Sequence, residues 1–280
     1  MSKMKMITSI CLAIGIFPLT TAIAFGACLP APESLVKPGA LTIGTNFAGP
    51  PMGFLDGTKP SGFDSDLVSQ IAERMCLKPE FVDLTFTGLF PGLLAKKFDI
   101  IAARVGITDE RQKQFDFVPV FKGGLRLVVN KGSDLRFSTE SDVCGHDTAI
   151  VAGSTQMAAL ERVKSECPSD KPMTMKTFTN QIEAMNEVAK KSVSAAYVDW
   201  PLAAYVIQQR PNDFVEASPV LSGKGPNTER NRNGLVVRKG EKSTQNALSA
   251  AFEAILADGS YDKLLAKWNL ADGDIRKNGD

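Results

Sequence analysis

From Ala40 onward the chain alternates short, nearly unbroken apolar runs with longer stretches in which apolar residues return every three or four positions. Runs of the first kind read as strands buried on both faces, and stretches of the second kind as helices with one face inward. Residues 40–45 open the series as a strand. Gly62-Phe63-Asp64 leads into a helix on which Leu67, Val68, Ile71, Ala72 and Met75 share a face, with Asp64 in the N-cap role. A strand at 81–84, a short helix at 89–96 held by Leu93 and Leu94, and a strand at 99–103 follow. The pattern then restarts: strands at 125–130 and 148–152, a helix at 156–165, a strand at 173–178, a helix at 181–190 and strands at 194–198 and 235–238. Two helices close it, one carrying Ala247, Leu248, Ala251, Phe252 and Ile255, the other Tyr261, Leu264, Leu265 and Trp268. Strands alternating with helices imply parallel βαβ units, and the restart implies two α/β lobes. Residues 28–123 and 233–280 are assigned to the first lobe and 124–232 to the second, with crossings at Gly123-Gly124 and in the polar run from Asn227 to Asn233.

The segment before this series behaves differently. Lys3 and Lys5 precede an uncharged apolar run from Ile7 to Ala24, and small residues follow at Ala22, Ala24, Gly26 and Ala27. That is the pattern of a secretory signal peptide, residues 1–27, cleaved near Ala24–Ala27. A membrane anchor is the alternative, but Gly15 and Pro18 interrupt the run, which is short for a bilayer span. Removal takes two lysines from 32 basic residues against 31 acidic ones and leaves a net charge near −1. Such a balance has no attraction for nucleic acid. Cys28, Cys76, Cys144 and Cys167 remain, an even number suited to disulfides in an oxidising compartment. Phe25-Gly26-Ala27-Cys28 also reads as a lipoprotein attachment site, with Phe and Gly in place of the usual residues.

Taken in order, Leu41-Thr-Ile-Gly-Thr-Asn46, Gly62-Phe-Asp-Ser-Asp-Leu67, Gly88-Leu-Phe-Pro-Gly-Leu93, Phe98-Asp-Ile-Ile101, Ile107-Thr-Asp-Glu-Arg-Gln112, Gly153-Ser-Thr-Gln156, Ala195-Ala-Tyr-Val-Asp199 and Asp258-Gly-Ser-Tyr261 resemble the binding proteins of polar amino-acid ABC importers. The resemblance covers nearly all of the chain after the signal segment. It implies an α/β, two-lobed periplasmic-binding-protein fold (type II), each lobe a mostly parallel sheet flanked by helices. It also implies a periplasmic monomer that closes on an amino-acid-like small molecule and delivers it to a membrane permease. Arg111 is the family's arginine for the ligand α-carboxylate, a role its planar fork suits. Gly153, Ser154 and Thr155 open a helix after a strand, so N–H groups and hydroxyls face the same carboxylate. Gly106 offers a backbone N–H. Asp199 is the family's acid for the ligand ammonium, with a helix N-cap before Pro201 as the plainer reading. Asn46, Phe47, Ala103 and Trp200 complete the expected pocket wall.

Two positions depart from the family pattern. Gly49 stands where relatives place a ring over the ligand, and Arg104 where they place serine, so the expected pocket is larger and more cationic, suited to an acidic, amidated or N-substituted amino acid such as an opine. Arg104 is expected to need an acceptor of its own in the ligand, or else a protein carboxylate at the lobe edge. A competing class is an exported cyclohexadienyl dehydratase on the same fold, which needs a general acid. His146, the one histidine, falls in a predicted loop. No nucleophile–base set and no Cys/His metal spacing is present, so neither cofactor nor metal is expected. Because the C-terminus of a helix returns to the N-terminal edge of its sheet, Cys28 is paired with Cys76 and Cys144 with Cys167.

Overall fold

The computed structural model describes residues 28–222 and 232–277. The expected signal segment and most of the polar run before Asn233 lie outside the described residues. The chain runs β1 (Ala40–Thr45), β2 (Ala48–Gly49), β3 (Gly53–Asp56), β4 (Lys59–Ser61), α1 (Phe63–Arg74), β5 (Lys78–Asp83), α2 (Phe86–Leu94), β6 (Ile100–Gly106), α3 (Asp109–Gln114) and β7 (Phe115–Lys122). After Gly123-Gly124 come β8 (Leu125–Asn130), β9 (Asp147–Val151), α4 (Thr155–Glu166), β10 (Thr174–Phe178), α5 (Gln181–Ala189), β11 (Ala195–Asp199), α6 (Trp200–Gln209) and β12 (Phe214–Glu216). The last elements are β13 (Arg232–Arg238), α7 (Lys242–Ala257) and α8 (Ser260–Lys267).

Two five-stranded sheets result, ordered β5-β1-β6-β13-β7 and β10-β9-β11-β8-β12, with β2, β3 and β4 as a small meander beside the first. In each sheet two pairings are parallel and two antiparallel. The parallel pairs are the βαβ units of the sequence pattern. The antiparallel ones arise where the chain passes between sheets, because β7 ends and β8 begins at Gly123-Gly124 and β13 comes back beside β6. Each sheet is covered on both faces. Leu41, Ile43, Val237 and α1, α7 and α8 form one core of the first sheet, and Ile101, Ala103, Val236 and α2 form the other. Leu127, Ile150 and α4 lie on one side of the second sheet, Val128, Ala149 and α5 and α6 on the other. Burial on two faces is why β1 and β8 are mostly apolar, broken only by Thr42 and Thr45 in β1 and by Arg126 and Asn130 in β8.

Several local expectations change. Asp64 does not cap α1. Gly62 holds that place with φ 111° and no side-chain cap, a backbone that favours glycine, and a Cβ there would run into the Met52 carbonyl. Leu94 is 57% exposed rather than packed, leaving Leu89 and Leu93 as the buried leucines of α2. Trp200 and Pro201 begin α6, a helix the pattern did not show. Pro at the first turn suits a helix start, since its missing N–H has no partner there anyway.

Both disulfides form as paired, with Cα separations of 5.6 Å for Cys28–Cys76 and 5.5 Å for Cys144–Cys167. The Cys28 sulfur is therefore engaged, and Leu29 N–H donates to the Arg74 carbonyl at 2.8 Å, tying the start of the described chain to the end of α1. The bonds span 48 and 23 residues, so in the chain-entropy account each is worth about 3 to 4 kcal/mol. Replacing Cys144 and Cys167 together by serine should lower the urea-unfolding free energy by about that amount. A loss below about 1 kcal/mol would contradict the loop-closure account.

Candidate functional site

The carboxyl ends of β6, β9, β10 and β11 point at one another across the gap between the sheets, the place where open α/β sheets collect ligands. A cavity of about 60 Å³ lies there. Of the expected site residues, Asn46, Ala103, Arg104, Gly106, Arg111, Ser154, Thr155 and Asp199 line it, together with Phe86, Thr108, Gln156, Gln181 and Arg232, which sequence reasoning missed. Phe47, Gly49, Gly153 and Trp200 do not. Phe47 sits against Phe81, ring centroids 5.8 Å apart. Trp200 stacks on Phe121 at 6.0 Å, and its backbone N–H donates to the Gly124 carbonyl at 3.1 Å, so it packs the crossing rather than the cavity.

Arg111 is placed by α3, whose N-cap Thr108 accepts the Arg111 N–H at 3.2 Å. Its guanidinium donates to the carbonyl of Gly106 at 2.8 Å and, across the gap, to that of Gly153 at 3.2 Å. The rings of Phe86 and Phe90 lie 5.7 and 5.2 Å from its Cζ. Burial pulls its pKa down to about 10, with no carboxylate partner among the described residues to oppose the shift. Gly106 thus positions Arg111 through its carbonyl. Opposite stands the N-terminus of α4. Ser154 caps it, accepting the Met157 N–H at 3.1 Å and donating to the Val151 carbonyl at 2.6 Å. The hydroxyl and the Met157 N–H are used in the cap, and the N–H groups of Thr155 and Gln156 at the start of this 12-residue helix remain as donors toward the gap.

Arg104 and Asp199 meet from opposite sheets. Asp199 accepts from Gln156 Nε2 at 3.0 Å and from Gln181 Nε2 at 2.5 Å, and Arg104 Nε stands 3.6 Å from its Oδ2. The two side chains are 6% and 14% exposed. Burial pushes the Asp199 carboxyl up, opposed by Arg104 and the two amides. Although Asp199 is at the N-cap position of α6, its side chain does not cap. Arg104 has φ 55°, costly for a residue with a Cβ and kept only where its surroundings hold it. The pairing of β6 with β13 slips at this point, between Gly234 and Val236. Such a bulge re-aims a side chain. A Cβ on Gly49 would collide with the Arg104 guanidinium. The space at Gly49, expected to admit ligand bulk, is filled by Arg104.

A profile of the bacterial extracellular solute-binding proteins, family 3, matches residues 41–271. The chain belongs to that family. Among members of family 3, the lysine/arginine/ornithine-binding periplasmic protein of Escherichia coli (strain K12) is 29% identical over 257 residues, 89% of this chain and 95% of its own. An ancestral arginine-binding protein bound to arginine superposes with a TM-score of 0.74 at 33% identity, covering 82% of this chain and 98% of that one. An ancestral amino acid-binding protein described as a precursor of cyclohexadienyl dehydratase superposes at 0.71 with 29% identity, covering 82% and 95%.

One signal for the missed residues of this family 3 site was present in the sequence. Gln156 and Gln181 stand in the first turns of α4 and α5, each after a strand and a capping residue, Ser154 and Asn180. The rule that singled out Ser154 applies equally to them.

Asp64 lies behind Arg104 and accepts its N–H at 3.2 Å. Burial, only partly offset by Arg104, pushes its carboxyl up to about 6 from an ordinary 3.8. Between these values the folded chain keeps a proton that the unfolded chain has released, so this group makes stability fall as pH rises from about 4 to 6, by up to about 3 kcal/mol. Asp64→Asn keeps an acceptor for the Arg104 N–H and should remove that decline. In urea titrations the variant's advantage should grow between pH 4 and 6 and level off above. An advantage constant across that range would show that Asp64 is ionised throughout.

Proposed function

We propose that this chain is the extracytoplasmic ligand-binding component of an ABC importer, and that it closes on an amino-acid-like carboxylate between two lobes. The observation that carries this reading is Arg111. It is a half-buried guanidinium between the sheets, with carbonyls and ring faces as its neighbours, facing the positive end of α4. A carboxylate placed there supplies the missing counter-charge and accepts in bidentate fashion from the guanidinium and from helix N–H groups at once. Each of those donors comes from a different sheet, so the ligand stabilises the closed pair over the open one. In this reading residues 28–123 with 233–280, and residues 124–232, move as the two bodies, bending at Gly123-Gly124 and at the return into β13. The signal segment is removed near Ala24–Ala27, the mature chain works in the periplasm as a monomer, and a membrane permease receives the closed form.

The likeness to a dehydratase precursor supports a second reading, turnover of prephenate or arogenate. It is disfavoured by the chemistry of the cavity. Both Asp199 oxygens are engaged by side-chain amides of the protein, so neither is free to pass a proton to a ligand. His146 packs edge-on against Phe137 and does not line the cavity.

Arg111→Ala should fold as the wild type does and lose its ligand, at a cost of about 2 to 5 kcal/mol in binding. Native mass spectrometry of protein purified without unfolding should show a bound small acid on the wild type and none on the variant. Equal retention by both would remove Arg111 from the site, and steady consumption of prephenate by the wild type would favour the dehydratase.

A further inference from the structure

Asp199 is the one acidic residue lining the cavity among the described residues, while Arg104, Arg111 and Arg232 line it too. A ligand ammonium entering the cavity has Asp199 alone to meet, and that carboxylate is already occupied. It faces the Arg104 guanidinium on one oxygen and takes amide hydrogens from Gln156 and Gln181 on both. An ammonium drawn to Asp199 would stand beside a like charge in a site that excludes water, where repulsion is poorly screened.

Arg104 is not a loose side chain that a ligand sweeps aside. It is nearly buried, its N–H is held by Asp64, its backbone is fixed in a left-handed bulge, and Gly49 leaves the notch that its guanidinium fills. Moving it out would leave Asp199 without its cation in a low-dielectric site, the costly way to break a buried pair. The lining carries three guanidinium groups against one carboxylate, so an anion relieves the excess positive charge and a zwitterion does not.

We infer that Arg104 takes the place of a ligand ammonium on Asp199, so that this cleft selects carboxylates with no free α-ammonium and turns away zwitterionic α-amino acids. N-acylated amino acids, 2-oxo acids and 2-hydroxy acids belong to the accepted class. The inference rests on the proposed carboxylate-binding role of Arg111 and adds the group at the α-position.

The test uses matched pairs differing only at that position: glutamine and N-acetylglutamine, arginine and N-acetylarginine, glutamate and 2-hydroxyglutarate, phenylalanine and phenyllactate, all in the L form. Calorimetric titrations are run on disulfide-intact mature protein after co-purified ligand has been removed by reversible urea unfolding. Wild type should favour the member without the ammonium by at least about tenfold in every pair it binds. Arg104→Ser should shift preference toward the free amino acid. Gly49→Ala, which displaces the guanidinium without deleting it, should shift it the same way, and circular dichroism checks that both variants fold. Wild-type binding of a free amino acid as tight as its partner, lost in Arg111→Ala, overturns the inference and leaves the cleft reading standing. If no compound binds in an Arg111-dependent way to any of the folded proteins, the cleft reading itself fails.

Discussion

A guanidinium taken out of water cannot discard its charge, so its surroundings must supply acceptors and a counter-ion, or a ligand must. Two arginines on the same strand and the helix after it meet that constraint in different ways. Arg104 finds its carboxylate within the protein, across the gap at Asp199. Arg111 finds carbonyls and aromatic faces. The first pair is complete without a ligand, and the second is not. In the proposed function, that difference separates the part of the site that shapes the ligand from the part that receives its carboxylate.

The topology makes the contrast possible. β6 ends the parallel part of the first sheet and β11 that of the second, so their carboxyl ends bring Arg104 and Asp199 together although 95 residues separate them in the chain. Neither sheet alone holds the complete site, because Arg104 on β6 meets Asp199 on β11 and Arg111 on α3 reaches the Gly153 carbonyl after β9. In the proposed function, closure and recognition are then one event, with the ligand joining donors that belong to different sheets. Asp64 adds a reserve of negative charge behind Arg104, held partly protonated near pH 6 by burial.

Where burial was nearly uniform, the strands were legible in the sequence: β1 and β8 are mostly apolar, with Thr42 and Thr45 in the one and Arg126 and Asn130 in the other, and their bounds follow from composition. β7 was not legible, since Asp116 and Pro119 interrupt it. In the structure Asp116 instead receives Lys239, Lys242 and the Gly240 N–H from the chain after β13. α6 was hidden by Pro201, which reads as a breaker and serves as a first-turn residue. In the site, Arg111 stood out because its local motif has a fixed relation to the strand before it. The Arg104–Asp199 pair did not, because a contact between lobes leaves no spacing signature in either segment. The same holds for Gly49, whose missing side chain reads as room for a ligand until Arg104 is seen to fill it.

The central claim is that the ligand completes Arg111 and leaves Arg104 on Asp199. A crystal structure of protein purified with its captured ligand tests it most directly. The account predicts a ligand carboxylate within hydrogen-bonding distance of the Arg111 guanidinium and the first-turn N–H groups of α4, with the Arg104–Asp199 pair intact. A ligand ammonium seated on Asp199, with Arg104 swung out of the notch at Gly49, would contradict it.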